Sequence, residues 1–206
     1  GSSVSGGKMR YAVKYTSANM FSSITAGSEI MDSAMSLNGM YQTVTTYKNG
    51  FWLSANYGAT WTNKSPSSTA VGSVIYKAVS MSSSGQYQSV CVYGGYIYVS
   101  NDYGATWTKP ATITAAKNFM AIKMSDSGLH QTCVADGDYI YTSSDSGATW
   151  TQKTSIGLKS YYDVAMSADG SIQYAVVLNG GGILKSTDKW STSTSVNTGL
   201  AQNKVG

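Results

Sequence analysis

Charge is what this sequence has least of. Asp, Glu, Lys and Arg together make up 12% of 206 residues, and Arg10, Glu29 and His130 are the single representatives of their types. Readers of phosphate and base edges lean on clustered Arg and Lys. Here the lysines are scattered, so the net charge of +4 reads as a solvated basic surface and nucleic acid is excluded as a partner. A Ser-His-Asp triad would have to use His130, and no Gly-x-Ser-x-Gly elbow accompanies it. No stretch approaches the roughly 18 apolar residues of a membrane span, which excludes insertion as a helix. The chain opens Gly1-Ser2-Ser3 without an initiator Met or an apolar leader core, as a processed or excised segment does.

Cysteine and proline are also scarce, at two each. Cys91 and Cys133 fall in matching strands of neighbouring repeats. Packed sheets lie about 10 Å apart, whereas a disulfide wants Cα atoms within about 7 Å. The expectation is two buried, reduced thiols, and no metal-ligand spacing competes with it. Each Asp-bearing turn offers one carboxylate, too few for calcium, so neither a metal nor a cofactor is expected.

What is abundant is strand and turn material: 22 Gly and 16 Tyr, with many Ser and Thr. One octet organises it, Ser100-Asn101-Asp102-Tyr103-Gly104-Ala105-Thr106-Trp107. It recurs from Ser54 through Asn56 and Gly58 to Trp61, and from Ser143 through Asp145 and Gly147 to Trp150. A worn copy, Ser186-Thr187-Asp188-Lys189-Trp190, lacks the Gly and the final Trp. The opening serines stand 43 to 46 residues apart, a spacing of propeller blades and similar arrays. The Asp or Asn oxygen bonds backbone N–H groups just ahead, and the Gly takes positive φ without a steric cost, which makes a tight reversal between strands. Because Asn56 serves where the others carry Asp, the position needs an acceptor rather than an anion. Trp61, Trp107 and Trp150 read as anchors buried between neighbouring sheets.

Ser-x-Asp-x-Gly-x-Thr-Trp is the Asp-box, and the chain resembles the Asp-box (BNR, sialidase-like) β-propellers. The resemblance implies that each box caps the turn between the third and fourth strands of a blade, on the face away from the ligand site. It carries no catalysis: that family's arginine triad and Tyr–Glu pair cannot be furnished by Arg10 and Glu29 alone.

Other columns keep the period. Met35, Met81, Met124 and Met166 are equivalent, as are Gly39, Gly85, Gly128 and Gly170, and Gln42, Gln88, Gln131 and Gln173. The Met column is expected to fill core between sheets, and the Gln column to bond backbone across each blade. The fold class is therefore all-β, a single propeller domain over 1–206. Its blades fall at about 30–63, 76–109, 118–152 and 160–195. Five blades are expected, the fifth a strand-poor composite of residues 1–25 and 196–206, with a decayed box at Ser17-Ala18-Asn19. The alternative is an incomplete array finished by a neighbouring subunit.

Function is expected on the face opposite the boxes, where linkers and turns diverge. The candidate ligand residues are Tyr76, Lys77, Tyr93, Phe119, Asp136, Asp138, Tyr161, Tyr162, Asp163 and Asn179. Tyr offers a stacking ring and a hydroxyl, which suits a glycan or a protein ligand; the alternative is that these aromatics plug the ring mouth. A glycosidase would need two carboxylates about 5 to 9.5 Å apart, and Asp32, Asp136, Asp138 and Asp163 are the candidates. The reading is a non-enzymatic recognition module, outside the cell or on a virus particle, where Met-Ser-x-x-Gly-x-x-Gln repeats like these resemble Asp-box arrays of large DNA viruses and phages. Its rivals are a structural subunit that pairs with its own copies by strand exchange, and a glycosidase.

Overall fold

The structure is a computed structural model that describes residues 29–66 and 74–196. The decayed box and the terminal segments assigned to a fifth blade lie outside the described residues, except Val196. Four repeat units follow one another. The first holds β1 (Ile30–Met35), β2 (Gln42–Thr46), β3 (Phe51–Ser54) and β4 (Thr62–Asn63), hydrogen-bonded in that order. In the second, β5 (Ile75–Met81), β6 (Gln88–Gly95) and β7 (Ile97–Ser100) pair in turn, and a Val99–Thr108 bridge takes the outermost place. The third holds β8 (Lys117–Met124), β9 (Gln131–Ala135), β10 (Ile140–Ser143) and β11 (Thr151–Gln152). The fourth holds β12 (Tyr161–Met166), β13 (Gln173–Val177), β14 (Gly182–Ser186) and β15 (Thr194–Ser195). All these pairings are antiparallel, and Tyr93 and Gly95 of β6 pair additionally with Asn118 and Lys117 of β8.

The core is not inside the sheets but between them. Side chains on a strand alternate between the two faces of its sheet, and each unit turns one face to its predecessor and the other to its successor. Phe51 packs with Tyr76, Val79, Val90, Val92 and Tyr98 between units one and two. Ala78, Cys91 and Ile97 meet Phe119, Ile122, Cys133 and Tyr141 between two and three. Ala121, Val134 and Ile140 meet Tyr161, Val164, Ala175 and Trp190 between three and four.

Hydrogen bonds cross the same interfaces. The N–H of Leu37 donates to Ser83 O (2.8 Å), that of Ser83 to Asp126 O (2.9 Å), and that of Asp126 to Ala168 O (2.7 Å). These four residues are equivalent, so one backbone belt links the turns after β1, β5, β8 and β12. The Gln column bonds both within and between units, not merely across its own sheet. Each Nε2 donates to the Gly three residues earlier, while the Oε1 of Gln88, Gln131 and Gln173 accepts from Thr43, Ser89 and Thr132 of the preceding unit, each at 2.6 Å. An aromatic ring sits in the space under the next turn's glycine. A Cβ on Gly85 would lie 2.6 Å from the Tyr41 ring, and one on Gly128 2.6 Å from Tyr87.

The Met column is not uniform core filler. Met124 is buried, Met81 and Met166 are half-buried and Met35 is exposed, in the one unit that has no preceding unit among the described residues.

Candidate recognition surface

The octets make the same bonds in the first three units. The Ser hydroxyl (Ser54, Ser100, Ser143) accepts from the Gly N–H at 2.8 to 2.9 Å and donates to the third-position side chain. Asp102 and Asp145 accept from the backbone N–H and hydroxyl of Thr106 and Thr149. Asn56 keeps the acceptor through Oδ1, and its Nδ2 donates to the Thr60 hydroxyl instead. Burial acts to raise the Asp102 and Asp145 carboxyls, but the bonds from threonine and serine outweigh it and hold both below the ordinary value. In the exposed Asp188 the bonds from Thr192 act first, and the group falls to about 2. These carboxylates are turn acceptors.

The tryptophans differ from expectation. Trp61, Trp107 and Trp150 each donate Nε1 to the Gly O three residues earlier, yet only Trp150 is buried; Trp61 and Trp107 are half-exposed at the rim. In the fourth turn Trp190 occupies the glycine's place. Its N–H bonds Ser186 Oγ at 2.8 Å, its φ is +65°, and its fully buried indole donates to Gln173 Oε1. The missing anchor has moved three positions upstream, into the interface.

Of the residues expected to line a ligand site, Tyr76, Phe119 and Tyr161 are completely buried in the interfaces. The reason is a bulge shared by every inner strand, between Tyr76 and Ala78, Phe119 and Ala121, and Tyr161 and Asp163. The extra residue in each bulge shifts the alternation. The preceding aromatic turns into the sheet interface, and Lys77, Met120 and Tyr162 become the bulged residues. Burial pushes the Tyr161 hydroxyl up to about 12, and it donates to Gly157 O.

The remaining candidates stand on the face opposite the octets. Asp138 is held by Lys117 Nζ at 2.6 Å, by the Tyr139 N–H at 2.8 Å and by the Tyr141 hydroxyl at 3.1 Å. Burial first, then the Asp138 charge, pushes the Tyr141 hydroxyl far above its usual range. Lys77, Tyr93 and Asp136 are half-buried; Asp163 and Asn179 are exposed, Asn179 in a left-handed turn at φ +55°. Asp163 Oδ1 accepts its neighbour's N–H from Val164 (2.8 Å), and Asp32 holds Ser33 N and Val79 N in the same way. The four acids considered as a glycosidase pair are therefore spread over β1, the β9–β10 turn and β12, and three of them are engaged in structural bonds.

Tyr162 is 51% exposed, and two leucines outside the expected ligand residues join it: Leu158 at 58% and Leu178 at 42%. The Leu178 N–H donates to Ser160 O (2.9 Å), and Tyr161 pairs with Val177. All three apolar side chains thus lie within two residues of one backbone junction, flanked by Asp163, Asn179 and Lys159. The equivalents of Leu178 in earlier units are Tyr47, Tyr93 and Asp136, and lysines lie over rings in the first two units: Lys48 over Tyr47 and Lys109 over Tyr96. On the octet face two grooves of about 470 and 550 Å³ recur between successive turns, lined by equivalent residues such as Tyr41, Thr60 and Asp102, and Tyr87, Thr106 and Asp145.

His130 is a packing residue: it sits beneath Gly170, as Tyr41 and Tyr87 sit beneath theirs. Burial, with Lys189 nearby, lowers its pKa against the pull of Asp169. Cys91 and Cys133 are buried and unbridged. They contact each other across the second interface, and burial followed by the neighbouring thiol holds Cys133 well above the thiol range. Among the described residues no group of three or more metal-ligating side chains converges, and no helix is long and apolar enough to cross a membrane.

No family model and no curated protein matches the chain. Solved structures do. The chain is similar to YCF48 bound to D1 peptide (16% identity, TM-score 0.59, covering 77% of this chain and 51% of that one). It is also similar to the GH74 xyloglucanase from Xanthomonas campestris (15%, 0.62, 79% and 29%) and to the RRP9 WD40 repeats (7%, 0.63, 82% and 51%). These are β-propeller proteins, some enzymes and some not, and the likeness gives this chain a propeller-type all-β fold. The chain spans about half the length of the YCF48 and RRP9 structures and under a third of the xyloglucanase.

Proposed function

We propose that this chain is a non-enzymatic recognition module built of Asp-box blades, and that it binds a protein segment through the face opposite the octets. The observation that carries the reading is that Leu158, Tyr162 and Leu178 are each exposed within two residues of one backbone junction. An apolar patch with a polar margin is the anatomy of a binding surface: the rings and aliphatic chains supply desolvation, and the rim supplies orientation. Two leucines beside the tyrosine favour an apolar peptide side chain as the group received. A sugar is the second reading, supported by the Tyr162 ring beside Asp163 and Asn179 and by the xyloglucanase likeness. YCF48 bound to D1 peptide offers a parallel for the first. The low charge and the Ser, Thr, Gly and Tyr richness fit a site outside the cell or on a particle surface.

Peptide and glycan arrays probed with the whole chain test this directly. Saturable binding to peptides that falls at least tenfold in both Tyr162→Ala and Leu158→Ser is the expected result. Binding confined to glycans moves the proposal to the second reading, and binding to neither array refutes both. Turnover of a fluorogenic glycoside that Asp163→Asn abolishes would make the protein an enzyme instead.

A further inference from the structure

The forward faces of units one to three are each covered by the next unit, and no following unit covers that of unit four among the described residues. Phe51, Ile97 and Ile140 are equivalent and fully buried, whereas their fourth member, Ile183, is half-exposed. Thr43, Ser89 and Thr132 are fully buried donors to the next unit's Gln; in their column Tyr174 is 36% exposed. Cys91 and Val134 are fully buried, and their equivalent Val176 is 36% exposed. Ile172, in the column of Tyr41, Tyr87 and His130, also faces outward. The result is a sheet face bearing Ile172, Tyr174, Val176 and Ile183. Asp163 belongs to the same edge. Asp32, its equivalent, gives its second oxygen to the Val79 N–H of the next unit at 3.0 Å, and among the described residues Asp163 Oδ2 meets no such donor.

Unit one carries the opposite half of each contact. Beneath Gly39 the only nearby described atoms belong to Met35 and Tyr57 of the same unit, where Gly85, Gly128 and Gly170 each hold a side chain of the unit before. Gly104 and Gly147 are overlain by Leu53 and Val99 of the preceding unit, but the nearest described atoms at Gly58 all belong to its own Gln42. Gln42 Oε1 has no hydroxyl donor among the described residues, unlike the other three glutamines. Among the described residues the row therefore presents knobs at one side and the matching slots at the other. The chain spans about half the length of the YCF48 and RRP9 structures.

We propose that the forward face of unit four docks head to tail on unit one of a second copy of this chain, two arcs closing one ring. Cys91 and Cys133 give the register. They touch across the second interface, Cys91 is the equivalent of Val176, and Cys133 is the equivalent of Val44. Val176 of one copy thus faces Val44 of the other. Matching faces with interlocking positions is how a heterologous interface closes into a ring.

The test uses the whole chain. Sedimentation velocity is expected to show a concentration-dependent dimer. Val176→Lys should weaken association at least tenfold with an unchanged strand circular dichroism spectrum, and Tyr162→Ala should leave it intact, which separates this proposal from the recognition reading. Mixing Val44→Cys and Val176→Cys single variants under mild oxidation should then cross-link the two different chains at once. A monomer at all concentrations, an oligomer indifferent to Val176→Lys, cross-linking of Val176→Cys to itself, or an intrachain disulfide in the Val44→Cys and Val176→Cys double variant would each overturn it.

Discussion

Replacing Gln131 with Met isolates the energy of one contact between units. The methionine keeps the length and most of the volume, so little cavity is created. What is lost is polar. Gln131 Nε2 donates to Gly128 O at 3.1 Å and Oε1 accepts the Ser89 hydroxyl at 2.6 Å, both at a site that is 1% exposed. Each net hydrogen bond contributes about 1 kcal/mol, and leaving the fully buried Ser89 hydroxyl without an acceptor costs about 1 to 3 kcal/mol more. The sum is a loss of about 3 to 5 kcal/mol in urea unfolding, with an unchanged slope. Adding Ser89→Ala removes the stranded hydroxyl, so the double variant should recover about 1 to 2 kcal/mol relative to the single one, a coupling that a double-mutant cycle reads directly. A loss under 1 kcal/mol, or strictly additive effects, would refute the idea that this glutamine staples unit two to unit three.

The other predictions concern turns and charge. Gly128→Ala should cost about 2 to 4 kcal/mol, because its Cβ would meet the Tyr87 ring at 2.6 Å and φ is +77°. Gly137→Ala, at φ +65° with nothing within 4 Å, should cost only about 1 to 2 kcal/mol by the same unfolding assay. Trp190→Gly relieves a positive φ but empties a fully buried site, so a net destabilisation of about 2 to 3 kcal/mol is expected from the melting temperature. Asp102, Asp145 and Asp188 are depressed below 3.8, Asp188 to about 2. Depressed carboxyls add stability above their unfolded pKa and lose it as pH falls through the folded one, so acid sensitivity should concentrate between about pH 4 and pH 2. Asn56 shows that Asn serves the turn, so Asp102→Asn with Asp145→Asn should reduce that dependence, with Asp169 and Asp188 still depressed to about 2, and leave stability near pH 7 little changed; an unchanged acid limb would refute the assignment.

The features legible in the sequence were those whose cause is local. The octet's Ser, Asp and Gly bond one another within five residues, so spacing alone reveals the turn. The Gln column was visible, but half of its bonding lay 41 to 45 residues away and could not be read from one repeat. Tyr76, Phe119 and Tyr161 were misplaced at a ligand mouth because a bulge leaves no mark in the residue pattern, yet moves an aromatic from the surface to the interface. Trp190 was read as a loss of the box's tryptophan, although a Trp at the glycine's place was itself the signal. Leu158 went unnoticed because an isolated leucine near a strand looks like a core residue, and only exposure distinguishes it.

Amide hydrogen exchange across the whole chain tests the central claim, that each unit is bound to the next through its own backbone. The account predicts slow exchange at Leu37, Ser83 and Asp126, turn residues whose N–H groups donate to the following unit. Exchange at these three positions as fast as at the exposed turn residue Gly137 would contradict it.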